Sequence, residues 1–378
     1  MAPKPTKPSK TLLTGPPIYL VDSRATVRKI NNVREDVWQF TGHDKGYICT
    51  SVNVDSKSNV YSTSSDNTVR KINAVGEEQW VHAQKDDVVC SSIDCFGNVI
   101  TGSFSGVVTK LSTDGEVLWE YAIGVYIRSV AVDPDCNVII GSEDGILTKL
   151  SAIGNVIWRD DSSFSMSNSK GIISVAFDYL GNIYVSSRDN TIRKFNTSGK
   201  LCWNVERYNS NITSIAIDIM ENVYIGLGDG SIKKLNRHGI ENWSVNVHNR
   251  KKVTGITLDI NCNVYSCSMS GTMVKMNMLG KVIWKYLDHK ISFFGIAASP
   301  LSGGHPTHWR LDNPAVTPDV TTSQTPTPTP TLTQTITPST TPVISSTPVV
   351  TMTMTPAIPS TPNVTLTMTP AISSTPVP

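Results

Sequence analysis

Apolar and polar positions alternate along most of the first three hundred residues, with a period of two and no helical spacing. The first sign is a family of short runs that end in Asp: Ser91-Ser92-Ile93-Asp94, Val130-Ala131-Val132-Asp133, Ser174-Val175-Ala176-Phe177-Asp178, Ser214-Ile215-Ala216-Ile217-Asp218 and Gly255-Ile256-Thr257-Leu258-Asp259. Small and apolar residues mix in them, which predicts inner strands with neighbours on both faces. Each Asp is followed four positions on by an Asn (Asp55 to Asn59, Asp94 to Asn98, Asp133 to Asn137, Asp178 to Asn182, Asp218 to Asn222, Asp259 to Asn263). Such side chains bond nearby backbone groups and tolerate unusual dihedrals, so the pair predicts a tight turn. Six copies argue against a metal site, which needs one convergent cluster. A strand such as Val60-Tyr61-Ser62 follows, then a hairpin turn and a return strand, as in Gly228-Asp229-Gly230 into Ser231-Ile232-Lys233-Lys234-Leu235.

A second period lies over the first. Trp38, Trp80, Trp119, Trp158, Trp203, Trp243 and Trp284 recur every 39 to 45 residues. Gly stands four residues before six of them (Gly76, Gly115, Gly154, Gly199, Gly239, Gly280), and Arg34 before the first, where a distorted turn is expected. Four strands per repeat make one propeller blade. The pattern Asp-x-x-x-Asn-Val/Ile-Tyr, then Lys-Leu/Ile-Asn/Ser-x-x-Gly-x-x-x-Trp, resembles the bacterial quinoprotein-like (PQQ-like) β-propeller repeats. The resemblance covers residues 17–299. It implies blades whose tryptophans dock on their neighbours, and it says little about function, since such repeats serve enzymes, scaffolds and binding proteins alike.

The expected fold is therefore all-β, a seven-bladed β-propeller. The first repeat lacks an inner strand: Ile18-Tyr19-Leu20 and Thr26-Val27-Arg28-Lys29-Ile30 match the second and third strands of a blade. Phe294-Gly295-Ile296-Ala297-Ala298 matches Thr254-Gly255-Ile256-Thr257-Leu258 and has no blade of its own. Residues 292–298 are expected to complete the first blade and leave no open sheet edge.

A Lys precedes every one of these tryptophans by nine positions: Lys29, Lys71, Lys110, Lys149, Lys194, Lys234 and Lys275. One reading is a ring of positive charge that attracts an anionic polymer or surface. The other lays each stem along an indole with the ammonium in water or over a ring. One lysine per blade favours the structural reading. A net charge of only +2 also weighs against nucleic acid as a partner.

Motifs for chemistry are scarce. There is no Gly-rich phosphate loop and no Gly-x-Ser-x-Gly elbow. Seven cysteines (Cys49, Cys90, Cys95, Cys136, Cys202, Cys262, Cys267) show no Cys-x-x-Cys and read as free thiols of a reducing compartment. Cys262 and Cys267 could face each other across a hairpin, although packing is the blander role. His305-x-x-His308, with His289 upstream, is a weak metal candidate in a Gly/Pro loop. The calcium site and catalytic Asp of quinoprotein dehydrogenases find no counterpart. No catalytic residue, cofactor or metal is assigned, and an enzyme is not expected.

The two ends differ from the ring. Residues 1–16 are basic and proline-rich with no signal-peptide core, and no stretch approaches a membrane span. The expected location is a virion assembled in the host cytoplasm, or otherwise the cytoplasm, without membrane contact. Residues 300–313 read as a linker. From Pro314 to residue 378 more than half of the residues are Thr or Pro, Asp319 is the only charge, and a fourteen-residue period sets in, as in Thr355-Pro356-Ala357-Ile358-Pro359-Ser360-Thr361-Pro362. An extended tether is favoured over a β-fibre built from its Thr/apolar alternation, or an O-glycosylated stalk.

A closed ring with an uncharged tail resembles phage structural proteins. The expected function is a non-enzymatic binding or structural module, with the tail anchoring it to a particle and the ring contacting a partner protein or a host-surface ligand. The alternatives are a cytosolic interaction scaffold and an enzyme that uses the central channel. Loops that break the repeat are where binding concentrates. The insertion Asp160–Lys170, with Phe164, Met166 and Lys170, is the expected contact loop, followed by Ser302–His308.

Overall fold

A computed structural model describes residues 16–161, 171–205, 208–288 and 291–298. The chain divides into two compact units, Met1–Thr317 and Pro318–Pro378, and everything described belongs to the first. That unit contains seven four-stranded antiparallel sheets. In each blade the strands run from an inner strand to an outer strand that carries the tryptophan. The inner strands are Cys49–Val54, Val88–Ile93, Ile127–Val132, Ile172–Phe177, Ile212–Ile217 and Val253–Leu258 for blades 2 to 7. Blade 1 consists of Ile18–Asp22, Val27–Ile30 and Asp36–Phe40, with Phe293–Ala298 as its inner strand.

The closing strand pairs with Ile18–Asp22 in antiparallel register, Leu20 opposite Ile296 and Tyr19 opposite Ala297. It also neighbours the inner strands of blades 7 and 2, so the circle is complete. The borrowed strand thus lies where the repeat arithmetic expects it, and the sheet edge that would invite aggregation is satisfied within the chain.

The core sits between blades rather than within them. Ile18, Leu20 and Ile296 of blade 1 pack with Tyr265, Met273 and Trp284 of blade 7. The same sandwich recurs around the circle, as where Ala131, Ile139 and Leu147 of blade 4 meet Ile172, Val175 and Phe195 of blade 5. Close approach needs small residues on the second strand. A Cβ on Gly141 would stand 2.3 Å from Ile172 of the next blade. Because inner strands all begin on one face, that entry face carries the blade-to-blade connections and the turns between second and third strands. The opposite, exit face carries the Asp-x-x-x-Asn turns, and Ala298 ends there.

Candidate functional site

The seven-fold residues are consumed by the fold. Each Asp of the tight turn accepts two backbone amides on one oxygen. In blade 3, Asp94 Oδ1 accepts from the Phe96 and Asn98 amides at 2.9 Å each, and Oδ2 accepts from the Asn98 side chain at 2.9 Å. The repeated lysine of the same blade points at that second oxygen: Lys110 at 2.8 Å from Asp94 and Lys149 at 2.8 Å from Asp133. The Lys110 and Lys149 ammonium groups are buried with their counter-charges, and the part-buried Lys29 and Lys71 are bonded to carbonyls of the next blade, so the repeated lysines are not a ring of free positive charge.

In blades 5, 6 and 7 a buried Tyr shares the carboxylate. Tyr184, Tyr224 and Tyr265 donate to Asp178, Asp218 and Asp259 at 3.1, 3.1 and 3.0 Å. There the lysines stand back, at 3.5, 3.8 and 3.7 Å, over the tyrosine faces. Blades 3 and 4 have Ile100 and Ile139 opposite the lysine instead. Burial beside the carboxylates pushes the phenols of Tyr61, Tyr184, Tyr224 and Tyr265 far above their ordinary range.

The tryptophans lie directly across from these lysines, Lys110 opposite Trp119, for example, with a register shift at each lysine. Each indole reaches the following blade. Trp38, Trp80, Trp119, Trp203 and Trp243 donate to the carbonyls of Ala74, Thr113, Ala152, Arg237 and Met278. Lys29, Lys71, Lys110 and Lys234 donate to the same carbonyls as their tryptophans. The glycine of that turn lies under the indole: a Cβ on Gly76 would be 3.0 Å from Trp38, and one on Gly115 2.9 Å from Trp80. At Arg34, where a distorted turn is expected, the turn is kept. Arg34 adopts φ 70°, and its amide donates to Asn31 at 3.0 Å as Gly76 does to Asn73 at 3.1 Å.

A central cavity of about 240 Å³ is lined by the inner strands, with Ser51, Asn53, Ser91, Ser214 and Thr257 as its polar residues. No titratable side chain among the described residues lines it. Asn53 donates to Ser91, whose hydroxyl in turn donates to Ser51. A Ser-His-Asp sequence of contacts does occur elsewhere: His43 meets Ser62 at 2.8 Å and Asp66 at 2.9 Å. Ser62 is fully buried and His43 is 2% exposed, so no substrate reaches them. His248 is held the same way between Thr272 and Ser266, and burial lowers its imidazole to about 4. Burial likewise pushes the Cys90 and Cys267 thiols up to about 12, which removes them as nucleophiles. Among the described residues no group of three or more His, Cys, Asp or Glu could hold a metal ion. Nor is any helix among the described residues long and apolar enough to cross a membrane.

The expectation of seven free thiols is corrected. Cys95 and Cys136 form a disulfide across 41 residues, while Cys49, Cys90, Cys202, Cys262 and Cys267 are free. Cys95 follows the turn Asp of blade 3 by one position and Cys136 that of blade 4 by three. Ring geometry brings these two turns together on the exit face, a proximity that spacing along the chain does not reveal. Cys262 lies in the turn and Cys267 opposite Gly255, so those two do not pair.

Two features went unnoticed in the sequence. The exit-face turns of blades 3, 5, 6 and 7 expose Phe96, Tyr179, Leu180, Ile219, Met220 and Ile260. On the entry face, the first residue of the turn between second and third strands is Ser23, Ser65, Phe104, Glu143, Arg188, Gly228 and Met269 in blades 1 to 7. Phe104, Glu143 and Arg188 are consecutive. Phe104 packs on Tyr126 with ring centroids 4.9 Å apart, and the Arg128 guanidinium lies 4.8 Å over the Tyr126 ring. Glu143 pairs with Arg128 and, at 2.7 Å, with Arg188. Aligning the repeats on these turns would have shown the departure. Phe164, Met166 and Lys170, His289, His305 and His308, both chain ends and the Thr/Pro-rich segment lie outside the described residues.

The profile of the family described as "Outer membrane protein assembly factor BamB" matches residues 105–290. No curated protein matches the chain. The matched segment runs from blade 3 through blade 7. Together with the seven sheets it supports a PQQ-like repeat propeller.

Proposed function

We propose that the protein is a non-enzymatic binding and structural module of a phage particle. The Thr/Pro-rich segment would anchor it to the particle, and the ring would contact a partner protein or host surface. One observation carries the binding part of this reading: six large apolar side chains stand exposed on the exit-face turns, Phe96, Tyr179, Leu180, Ile219, Met220 and Ile260. Apolar side chains grouped on one face mark protein contacts. The recurring polar groups, by contrast, are spent on holding turns and blades, and the described lining of the cavity holds hydroxyls but no titratable acid or base beside them. A non-enzymatic role fits a lining of that kind.

The disulfide between Cys95 and Cys136 favours a working place outside the reducing cytosol, such as a particle exterior, over a cytosolic scaffold. Mass spectrometry of purified particles tests the location, and the reading requires the chain to be present in them. Co-purification with the full-length protein and with a version ending at Asn313 tests the division of labour. A particle protein lost on truncation assigns attachment to the tail. A further protein should be kept by the ring and lost when Leu180 and Met220 are both changed to Asp. Absence of the chain from every particle fraction would defeat the virion reading.

A further inference from the structure

We propose that Phe104, Tyr126, Arg128, Glu143 and Arg188 form a contact site for a neutral saccharide on the entry face of blades 3 to 5. The inference rests on the reading of the ring as a binding module and names a ligand class for a different face. Its starting point is recurrence within the chain. Where a position serves the fold, the blades repeat it, as with the turn Asp of six blades and the Lys and Trp of all seven. At the first residue of the entry-face turn the backbone does repeat: the amides of Ser65, Phe104, Glu143, Arg188, Gly228 and Met269 donate to the preceding connections in the same way. The side chains do not. Three neighbouring blades supply Phe, Glu and Arg, while the others supply Ser, Ser, Gly and Met. Inner-strand positions repeat the exception, since Arg128 stands where other blades have Thr50, Val89, Ile173, Thr213, Thr254 and Phe294.

These side chains are held in place. Phe104 is 58% exposed yet backed by the half-buried Tyr126. Its amide bonds the Asp87 carbonyl, and the next amide bonds the Asp86 carboxylate. The Arg128 guanidinium is fixed between Tyr126 and Glu143, and Glu143 bridges to the 45% exposed Arg188. A flat ring beside a row of guanidinium and carboxylate groups matches a pyranose. The negative face of the ring attracts the polarised C–H groups of one sugar face. Paired hydroxyls on the rim accept from the guanidinium and donate to the carboxylate.

Charge selects a neutral sugar. Arg128 and Arg188 are already paired with Glu143, and Asp86, Asp87 and Asp144 outnumber Lys85 around the same turns, so an anion finds no excess of positive charge. The surroundings also disfavour a protein interface here. Among the described residues of blades 3 to 5, Phe104 is the only large apolar side chain exposed on this face. The others, such as Phe96, Val117, Ile153 and Leu180, stand on exit-face turns or outer strands. A protein contact of stable size wants an apolar centre of several such residues.

The test is a glycan array carrying neutral and carboxylate-bearing saccharides, probed with the full-length chain and with Phe104→Ala, Phe104→Tyr and Arg188→Ala. The expected result is retention on neutral glycans, weakened at least about tenfold by Phe104→Ala and Arg188→Ala and restored by Phe104→Tyr. Retention should survive raised salt, unlike a charge-driven contact. Both sites are exposed, so unchanged thermal unfolding confirms that the variants fold. A blank array, retention confined to acidic glycans, or retention indifferent to Phe104→Ala overturns the proposal. If Phe104→Ala instead releases a particle protein, the cluster is a protein contact, and the saccharide assignment fails while the binding-module reading stands.

Discussion

The Lys110 ammonium lies 2.8 Å from the Asp94 carboxylate, a full ångström closer than Lys234 lies to Asp218 at 3.8 Å. The difference follows the residue on the neighbouring strand. Tyr224 donates its hydroxyl to Asp218 and occupies the oxygen that Lys234 would take, whereas blade 3 has Ile100 there. One repeat pattern thus admits two ways of neutralising a buried carboxylate.

Asp94→Asn keeps the turn acceptor but leaves Lys110 buried without its partner. Equilibrium unfolding is expected to show a loss of about 3 kcal/mol. Asp94→Asn combined with Lys110→Met should recover most of that loss, because removing both charges avoids the uncompensated one. A single variant as stable as the parent would show that the pair contributes nothing.

The indole contacts between blades make a graded prediction. Gly115→Ala places a methyl 2.9 Å from the Trp80 ring and forces a φ of 87° on an L-residue, so a cost of about 1–2 kcal/mol is expected. Arg34→Gly runs the other way and should stabilise by up to about 1 kcal/mol by relieving a left-handed Arg. Trp284, whose partner turn contains Arg34, is the most buried of the seven indoles. Should Arg34→Gly destabilise instead, the arginine stem is covering that ring.

Acid should loosen blade 7. Burial, reinforced by Lys285, holds the His248 imidazole near 4 against an ordinary value of 6.5. The unfolded chain therefore binds a proton between those values that the folded chain refuses, and stability falls as pH drops from about 6.5 towards 4. His248→Gln, which keeps neutral polar atoms between Ser266 and Thr272, should flatten that part of the pH profile. An unchanged slope would place the acid sensitivity elsewhere.

Much of this was legible beforehand. Seven blades, the borrowed inner strand and the Asp–Asn turns follow from patterns in the sequence, because local rules recur from blade to blade and the borrowed strand is the one copy left without a blade. The Asp–Lys contacts were not legible. Asp94 and Lys110 are 16 positions apart, and only the register of three strands brings them together. The disulfide and the Phe104–Arg188 cluster were missed for a related reason: each joins different blades, so ring geometry rather than sequence spacing sets the distance. The expected contact residues Phe164, Met166 and Lys170 lie outside the described residues.

The disulfide has its own consequence. Cys95→Ser with Cys136→Ser removes a crosslink spanning 41 residues and should cost about 2–4 kcal/mol under non-reducing conditions. The same pair of changes should have no effect once a reductant is present in both samples. Equal stability without reductant would mean that the two thiols are not joined in solution.

Closure of the ring is the claim on which both proposed surfaces depend, and amide hydrogen exchange on the full-length chain tests it most directly. Amides of Phe293–Ala298 that face Ile18–Asp22 should exchange as slowly as those of the inner strand Ile212–Ile217. Rapid exchange in Phe293–Ala298, with protection kept in the other six inner strands, would contradict the account.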